Sequence, residues 1–261
     1  MTRDLVCGPA VPVEYVGVWK RALLRTPQFE DTTSQVFWMQ TSSWHADIRI
    51  PQSRPACTGK TTLKELTRKE LLGLTAQQGF SGTTLVEASI CRWQRQYDYQ
   101  PPSGTNDIGR MEFDGPDRVL EHGIEADYFE IWERMPGSAG DNSAIQLSAD
   151  PLVQLLTAGA FFMLVRPRVA KLKQRLSLLE FAAENSEDEF RKLMDFEISF
   201  GTRSAEDGSG YVELSTLPWR QGLRIRGLPQ TRSIASPDIS SGRGIMAEDW
   251  ARQIGLDRRS Q

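Results

Sequence analysis

The sequence predicts an all-β protein: a closed antiparallel β-barrel, joined by a second, smaller barrel or sheet and a few short helices. Three observations carry that reading. Most of the chain falls into short runs in which apolar and polar residues alternate, the period of a half-buried strand. Turn signals rich in Pro, Gly, Asn and Asp separate those runs. Gly17-Val18-Trp19 stands at the start of the first clear run.

The first strand spans residues 13–24 and ends at the Thr26-Pro27 turn. Strands at 32–40 and 44–50 follow, until Pro51 and Pro55 break the pattern. Residues 62–78 read as a helix: Thr62 and Glu65 have capping-box spacing, Leu63, Leu66, Leu71 and Leu74 repeat along one face, and Gly79 stops it. Strands resume at 83–88 and 91–99, and the Pro101-Pro102 stretch is a loop. Short strands at 109–113 and 118–121 meet at the Asp114-Gly115 hairpin signal, and 127–134 is another strand. Residues 136–143 form the best linker. Beyond it, strands are expected at 159–166, 196–202, 211–215 and 223–226, with a charged, partly helical stretch at 170–192. Residues 229–246 are rich in Pro, Ser and Gly and read as a tail, with a short helix at 247–254. The expected organisation is a barrel at 10–136, a second half at 144–228 and the tail at 229–261.

Composition bounds the function. With 261 residues, 39% apolar and 25% charged, the chain can bury a core without staples. A net charge of −3 lacks the basic excess of a nucleic-acid binder. Cys7, Cys57 and Cys91 are scattered, which argues against a disulfide scaffold or a zinc site and suits a reducing, cytoplasmic setting. The opening residues lack the pattern of a signal peptide. The longest apolar stretch, 158–165, is too short for a membrane helix and reads as a core strand. Neither a membrane nor a nucleic acid is therefore an expected partner, and no cofactor is implied. Nothing in the sequence fixes an oligomeric state.

Strand faces give the candidate site. Alternation puts Trp44, Ala46, Ile48 and Ile50 on one face and His45, Asp47 and Arg49 on the other. That second face is either a solvated outer surface or a polar lining inside a barrel. Two further strands favour the lining. Trp93, Arg95, Tyr97 and Tyr99 share one face, and Tyr128, Glu130, Trp132 and Arg134 share another. Burying a large aromatic side chain is worth about 2–3 kcal/mol, which turns these faces inward. Arg95 and Glu130 then go inward too, and the simplest arrangement pairs them, directly or through a ligand. His45 and His122 are the only histidines; His45, beside Asp47, is the better acid/base candidate. No phosphate loop, nucleophile elbow or Cys/His arrangement occurs.

The Gly17-Val18-Trp19 motif resembles the G-x-W of the lipocalins and the wider calycin group. That resemblance implies a tryptophan closing one barrel end against an arginine from a late strand, with Arg134, Arg224 and Arg226 available here. The order of Trp44–Pro51, Tyr128–Trp132 and Phe196–Gly201 is similar to the yeast HRI1-type family. That similarity implies two lipocalin-like barrels in one chain and no activity; the tail after residue 228 departs from it.

The leading functional expectation is binding of a small, partly aromatic or lipid-like organic molecule in the barrel. Trp38, Trp93, Tyr97, Tyr128 and Trp132 would give apolar contact, and Arg49, Arg95 and Glu130 would fix a polar group. The alternative is a cofactor-free isomerase, cyclase or lyase with Glu130, Asp47 and His45 as acid/base candidates. A third reading is a protein-interaction module using Met246, Trp250 and Ile254 of the tail.

Overall fold

The computed structural model describes residues 10–228, apart from 103, 148–152, 173–175, 205 and 227. Its first sheet contains β1 (Gly17–Arg25), β2 (Glu30–Asp31), β3 (Gln35–Gln40), β4 (Trp44–Ile50), β5 (Gln78–Glu87), β6 (Ile90–Asp98), β7 (Asp107–Phe113), β8 (Arg118–Gly123) and β9 (Phe129–Arg134). Each strand from β3 onward pairs antiparallel with the next. β1 pairs with β3 on one side and with β9 on the other, from Trp19↔Arg134 to Arg25↔Phe129, which closes an eight-stranded barrel. The short β2 only extends the turn after β1. Closure removes the free edges that an open sheet of this length would expose.

A second antiparallel sheet runs in sequence order through β10 (Asn142–Leu147), β11 (Val153–Ala158), β12 (Phe161–Arg166), β13 (Glu197–Arg203), β14 (Gly210–Ser215) and β15 (Arg224–Ile225). One face of it packs on the outside of the barrel. Val18, Phe37, Met39, Ala46 and Ile48 of the barrel share a core with Leu156, Met163, Val165, Ile198 and Phe200 of the sheet. Phe37 stacks on Phe200 at 4.3 Å between centroids. The opposite face of the sheet gathers Leu155, Phe162, Leu164 and Val212 into a separate cluster. β4 is thus buried on both faces: Ala46 and Ile48 look toward the sheet, while His45 and Asp47 look into the barrel. This settles the two readings of its alternation in favour of an interior lining.

Three short helices complete the fold: α1 (Arg68–Leu74), α2 (Leu178–Glu184) and α3 (Glu187–Met194). Each opens on a capping box, with Thr67 and Glu70, Ser177 and Glu180, and Ser186 and Glu189 bonded reciprocally. Their apolar residues join the shared core, among them Leu71, Leu74, Leu178, Ala182, Phe190 and Met194.

Several expected elements differ. The helix at 62–78 is a 3-10 turn (Leu63–Glu65) followed by the shorter α1. Leu66 between them is extended, at φ −74° and ψ 136°, so the leucine repeat is split and the working cap is Thr67 rather than Thr62. Gly79 does not stop a helix; it pairs with Ile48 inside β5. Residues 13–15 are a 3-10 turn, so the first strand starts at Gly17. β10 begins inside the expected linker, and β11 lies where no strand is expected. The tail at 229–261, with Met246, Trp250 and Ile254, lies outside the described residues.

Candidate functional site

The two barrel ends are built differently. At the end where β1 starts, Trp19 is fully buried and donates its indole N–H to the Tyr15 carbonyl at 2.8 Å. Phe113 meets both rings edge-on. The Arg134 guanidinium lies over the Trp19 ring at 4.2 Å and also donates to the backbone carbonyls of Val16, Glu14 and Pro116. Arg134, rather than Arg224 or Arg226, is therefore the arginine above this tryptophan. Gly17 makes room for it: its φ is +138°, and a Cβ there would sit 2.9 Å from Arg134 Nη1.

Behind this plug the interior is filled. Trp38 stacks at 6.1 Å on Trp19 and meets Trp93 and Trp132 edge-on at 5.6 and 5.8 Å. These offset and edge-on contacts suit ring quadrupoles and exclude solvent. The space left among Trp38, Asp47, Trp93, Glu121 and Trp132 is about 10 Å3, the size of one water. His45 lies at the same plugged side. Thr84 donates its hydroxyl to Gln40 Oε1 at 2.8 Å, so it accepts from His45 Nδ1–H at 3.0 Å. Burial and the charge of Arg95 push the His45 pKa down to about 3, which keeps the ring neutral.

The other end is open. A cavity of about 480 Å3 lies among Leu24, Pro27, Arg49, Arg95, Tyr128 and Glu130, with Asp107 and Asp127 at its edge. Its charged groups form three ion-pair sets. Arg21 joins Asp31 at 2.7 Å and Glu130 at 2.8 Å, with only 5% and 3% of the Arg21 and Glu130 side chains exposed. Arg49 Nε donates to Asp47 at 2.8 Å, and its Nη1 stands 3.7 Å from Glu130. Arg95 joins Asp98 at 2.9 Å and Asp107 at 2.6 Å while its guanidinium lies 3.5 Å above the Phe80 ring. Burial alone would lower the Arg49 pKa, but Asp47 and Glu130 outweigh it and raise it well above the usual value. Burial would by contrast raise the Asp31 pKa; hydrogen bonds from Ser34 and Thr33 outweigh it and hold it far below the usual carboxylate range.

Glu121 behaves differently. It is 3% exposed and forms no ion pair among the described residues. Glu130 stands directly across from it in the β8–β9 register. Its Oε2 accepts the Trp132 indole N–H at 2.9 Å, and its Oε1 lies 2.6 Å from the Tyr128 hydroxyl. Burial, then the charge of Glu130, pushes its pKa up to about 8. Gly109 supplies the space, since a Cβ there would meet Glu121 Cγ at 2.9 Å.

Neither a protein-family model nor a curated protein sequence matches this chain. Among solved structures it is similar to an uncharacterized protein, YLR301w, from Saccharomyces cerevisiae. The TM-score is 0.46 at 12% identity, over 76% of this chain and 84% of that one.

The expected site residues therefore separate into groups. Arg49, Arg95, Tyr128 and Glu130 come together on the open cavity. Trp38, Asp47, Trp93 and Trp132 surround the small space below it. His45 sits at the plugged end and reaches neither space. Tyr97 is on the opposite face and packs in the core shared with the second sheet. The cause is a bulge: Ser81 pairs with Tyr97 but Gly82 with Arg95, so Gln96 is an extra residue and the alternation resets. The expected Arg95–Glu130 pair does not form, because closure brings Arg21 of β1 to Glu130 while β7 brings Asp107 to Arg95. Sequence reasoning missed Arg21, Asp107 and Glu121. Strand parity contains the signal: Arg21 is two residues from Trp19, and Glu121 two from Val119. Among the described residues, no His/Cys/Asp/Glu group is arranged to hold a metal ion, and no helix is long and apolar enough to cross a membrane.

Proposed function

We propose that the barrel, residues 10–136, binds a small organic molecule at its open mouth, and that the sheet at 144–228 braces it. The observation that carries this reading is Arg49. Its Nε is held by Asp47, yet its two terminal nitrogens make no hydrogen bond among the described residues and stand beside a cavity of about 480 Å3. An arginine at a cavity wall whose terminal N–H groups lack a hydrogen bond is a ready anchor for an acceptor group. Charge decides the kind of acceptor. Asp31, Asp47, Asp98, Asp107, Asp127 and Glu130 outnumber Arg21, Arg49 and Arg95 around the mouth. The surplus disfavours a carboxylate ligand, Arg49 as the anchor disfavours a cationic one, and together they favour a neutral ligand with a polar acceptor group on Arg49. An aromatic or aliphatic body fits against Leu24, Pro27 and Tyr128.

Native mass spectrometry of freshly purified protein is the direct test, followed by thermal-shift titration with whatever is released. The expected result is a retained neutral compound whose binding is lost in Leu24→Trp, which fills the mouth. No retained compound, and no shift of melting temperature with a broad ligand panel or cell extract, would dispose of the reading. Turnover by an acid/base trio of Glu130, Asp47 and His45 gains no support, because Glu130 and Asp47 are held by arginines and His45 lies away from the cavity.

A further inference from the structure

Glu121 and Tyr128 are not absorbed by the anchor just described, although Tyr128 lines the cavity and Glu121 lines the space beneath it. We infer that Glu121 and Tyr128 form a donor relay that presents the Tyr128 O–H to a carbonyl oxygen of the ligand, making the ligand a ketone, ester or amide rather than an alkane-like body. The inference rests on the cavity being a ligand site.

The argument is one of hydrogen-bond bookkeeping. The Trp132 indole can only donate, so Glu121 Oε2 must be an acceptor. If the carboxyl carries a proton, that proton sits on Oε1, which faces the Tyr128 oxygen at 2.6 Å. Glu121 then donates to Tyr128, and the phenol has its own proton left for a partner in the cavity. If the carboxyl is ionised, Tyr128 turns its proton back to Glu121 and offers the cavity only lone pairs.

The surroundings favour the proton on Glu121. The groups facing it are Glu130 from β9, Asp107 from β7, Cys91 from β6, Tyr128 before β9, and Arg49 from β4. Glu130 and Asp107 are acidic, and Arg49 is already engaged with Asp47 and Glu130. A buried carboxyl with acidic neighbours and no ion pair keeps its proton.

The test uses the full chain and two neutral probes, acetophenone and ethylbenzene, which differ by one carbonyl oxygen. Calorimetry at pH 7 should give an acetophenone-to-ethylbenzene affinity ratio that falls about tenfold in Tyr128→Phe, the worth of one hydrogen bond. Glu121→Gln separates a relay from simple packing. Its amide can donate to Tyr128 and accept from Trp132 as the protonated acid does, but it cannot ionise. Wild type should therefore lose the carbonyl preference as pH rises through about 8, whereas Glu121→Gln keeps it to pH 9. An infrared carbonyl band of a protonated carboxyl at pH 7, absent in Glu121→Gln, is the matching signature in the free protein. Equal ratios in wild type and Tyr128→Phe, or one pH profile for wild type and Glu121→Gln, would overturn the relay and leave the cavity reading standing. Binding of neither probe would remove both.

Discussion

Removing Arg21 should destabilise the barrel more than removing the carboxylate it holds. Arg21 bridges Asp31 and Glu130, and both the Arg21 and Glu130 side chains are almost fully buried. In Arg21→Met, Glu130 keeps only Arg49, at 3.7 Å. Breaking a buried pair from one side costs about 3–5 kcal/mol, and the remaining Arg49 places this case near the lower end. Asp31 suffers less, because Thr33 and Ser34 already bond it. Glu130→Gln is milder, about 1–2 kcal/mol, since Arg21 still has Asp31 at 2.7 Å. The double variant Arg21→Met with Glu130→Gln leaves no stranded charge at Glu130 and should recover part of the loss. The assay is urea unfolding at pH 7 across the four proteins of a double-mutant cycle. A parallel cycle of Arg95→Met with Glu130→Gln should be additive, because Arg95 is bound to Asp98 and Asp107 instead. Two small additive effects in the Arg21 cycle, each within about 0.5 kcal/mol, would refute the buried bridge.

Three further outcomes follow from the same structure. Glu121 has a folded pKa raised above its ordinary value, so the folded state holds a proton that the unfolded chain releases first. Its contribution is fully present below about pH 4.5 and is lost as pH rises through about 8; the stability gap between Glu121→Gln and wild type should shift toward the variant by up to about 1.4 kcal/mol per pH unit, and a pH-independent gap would contradict this. His45 has a folded pKa depressed to about 3, so its contribution is present above the unfolded value and is lost as pH falls toward 3; His45→Gln should flatten the acid limb of the stability profile, and an unchanged limb would count against a neutral buried ring. Gly17→Ala should cost about 1–3 kcal/mol from its left-handed backbone alone and also displace Arg134 from Trp19, seen as a changed near-ultraviolet dichroism; an unaltered melting temperature would show that the plug tolerates a Cβ there.

Fold class was legible because period-two alternation and turn residues are local signals, and β4 spans Trp44–Ile50 as the alternation requires. Its polar face lines the interior because the opposite face is needed by a second sheet, a demand that no local window contains. What escaped was non-local. Ring closure chose Arg21 for Glu130, and one extra residue at Gln96 moved Tyr97 to the other face. The leucine repeat at 63–74 carried helical spacing, yet the extended Leu66 divides it. Glu121 gives no local signal, because an acidic residue on a short strand has the pattern of a solvent-facing one and only the fold brings Trp132 and Tyr128 around it.

The β6–β7 seam has a consequence of its own. Its register covers only Ile90↔Arg110 to Trp93↔Asp107, whereas β4 and β5 pair along Trp44↔Thr83 to Arg49↔Gln78 with the second sheet packed behind them. Beyond Trp93 the two strands are joined by the Arg95–Asp107 ion pair, at the cavity's edge. The barrel is therefore an asymmetric cylinder, with a wall braced from both sides and a wall that ends in a charged clasp. Backbone amides of β4 should exchange with deuterium only on global unfolding, while those near Arg95 and Asp107 should exchange through local opening. A guest too large for the resting mouth would enter through that clasp, and raised salt would ease its entry by weakening the Arg95–Asp107 ion pair.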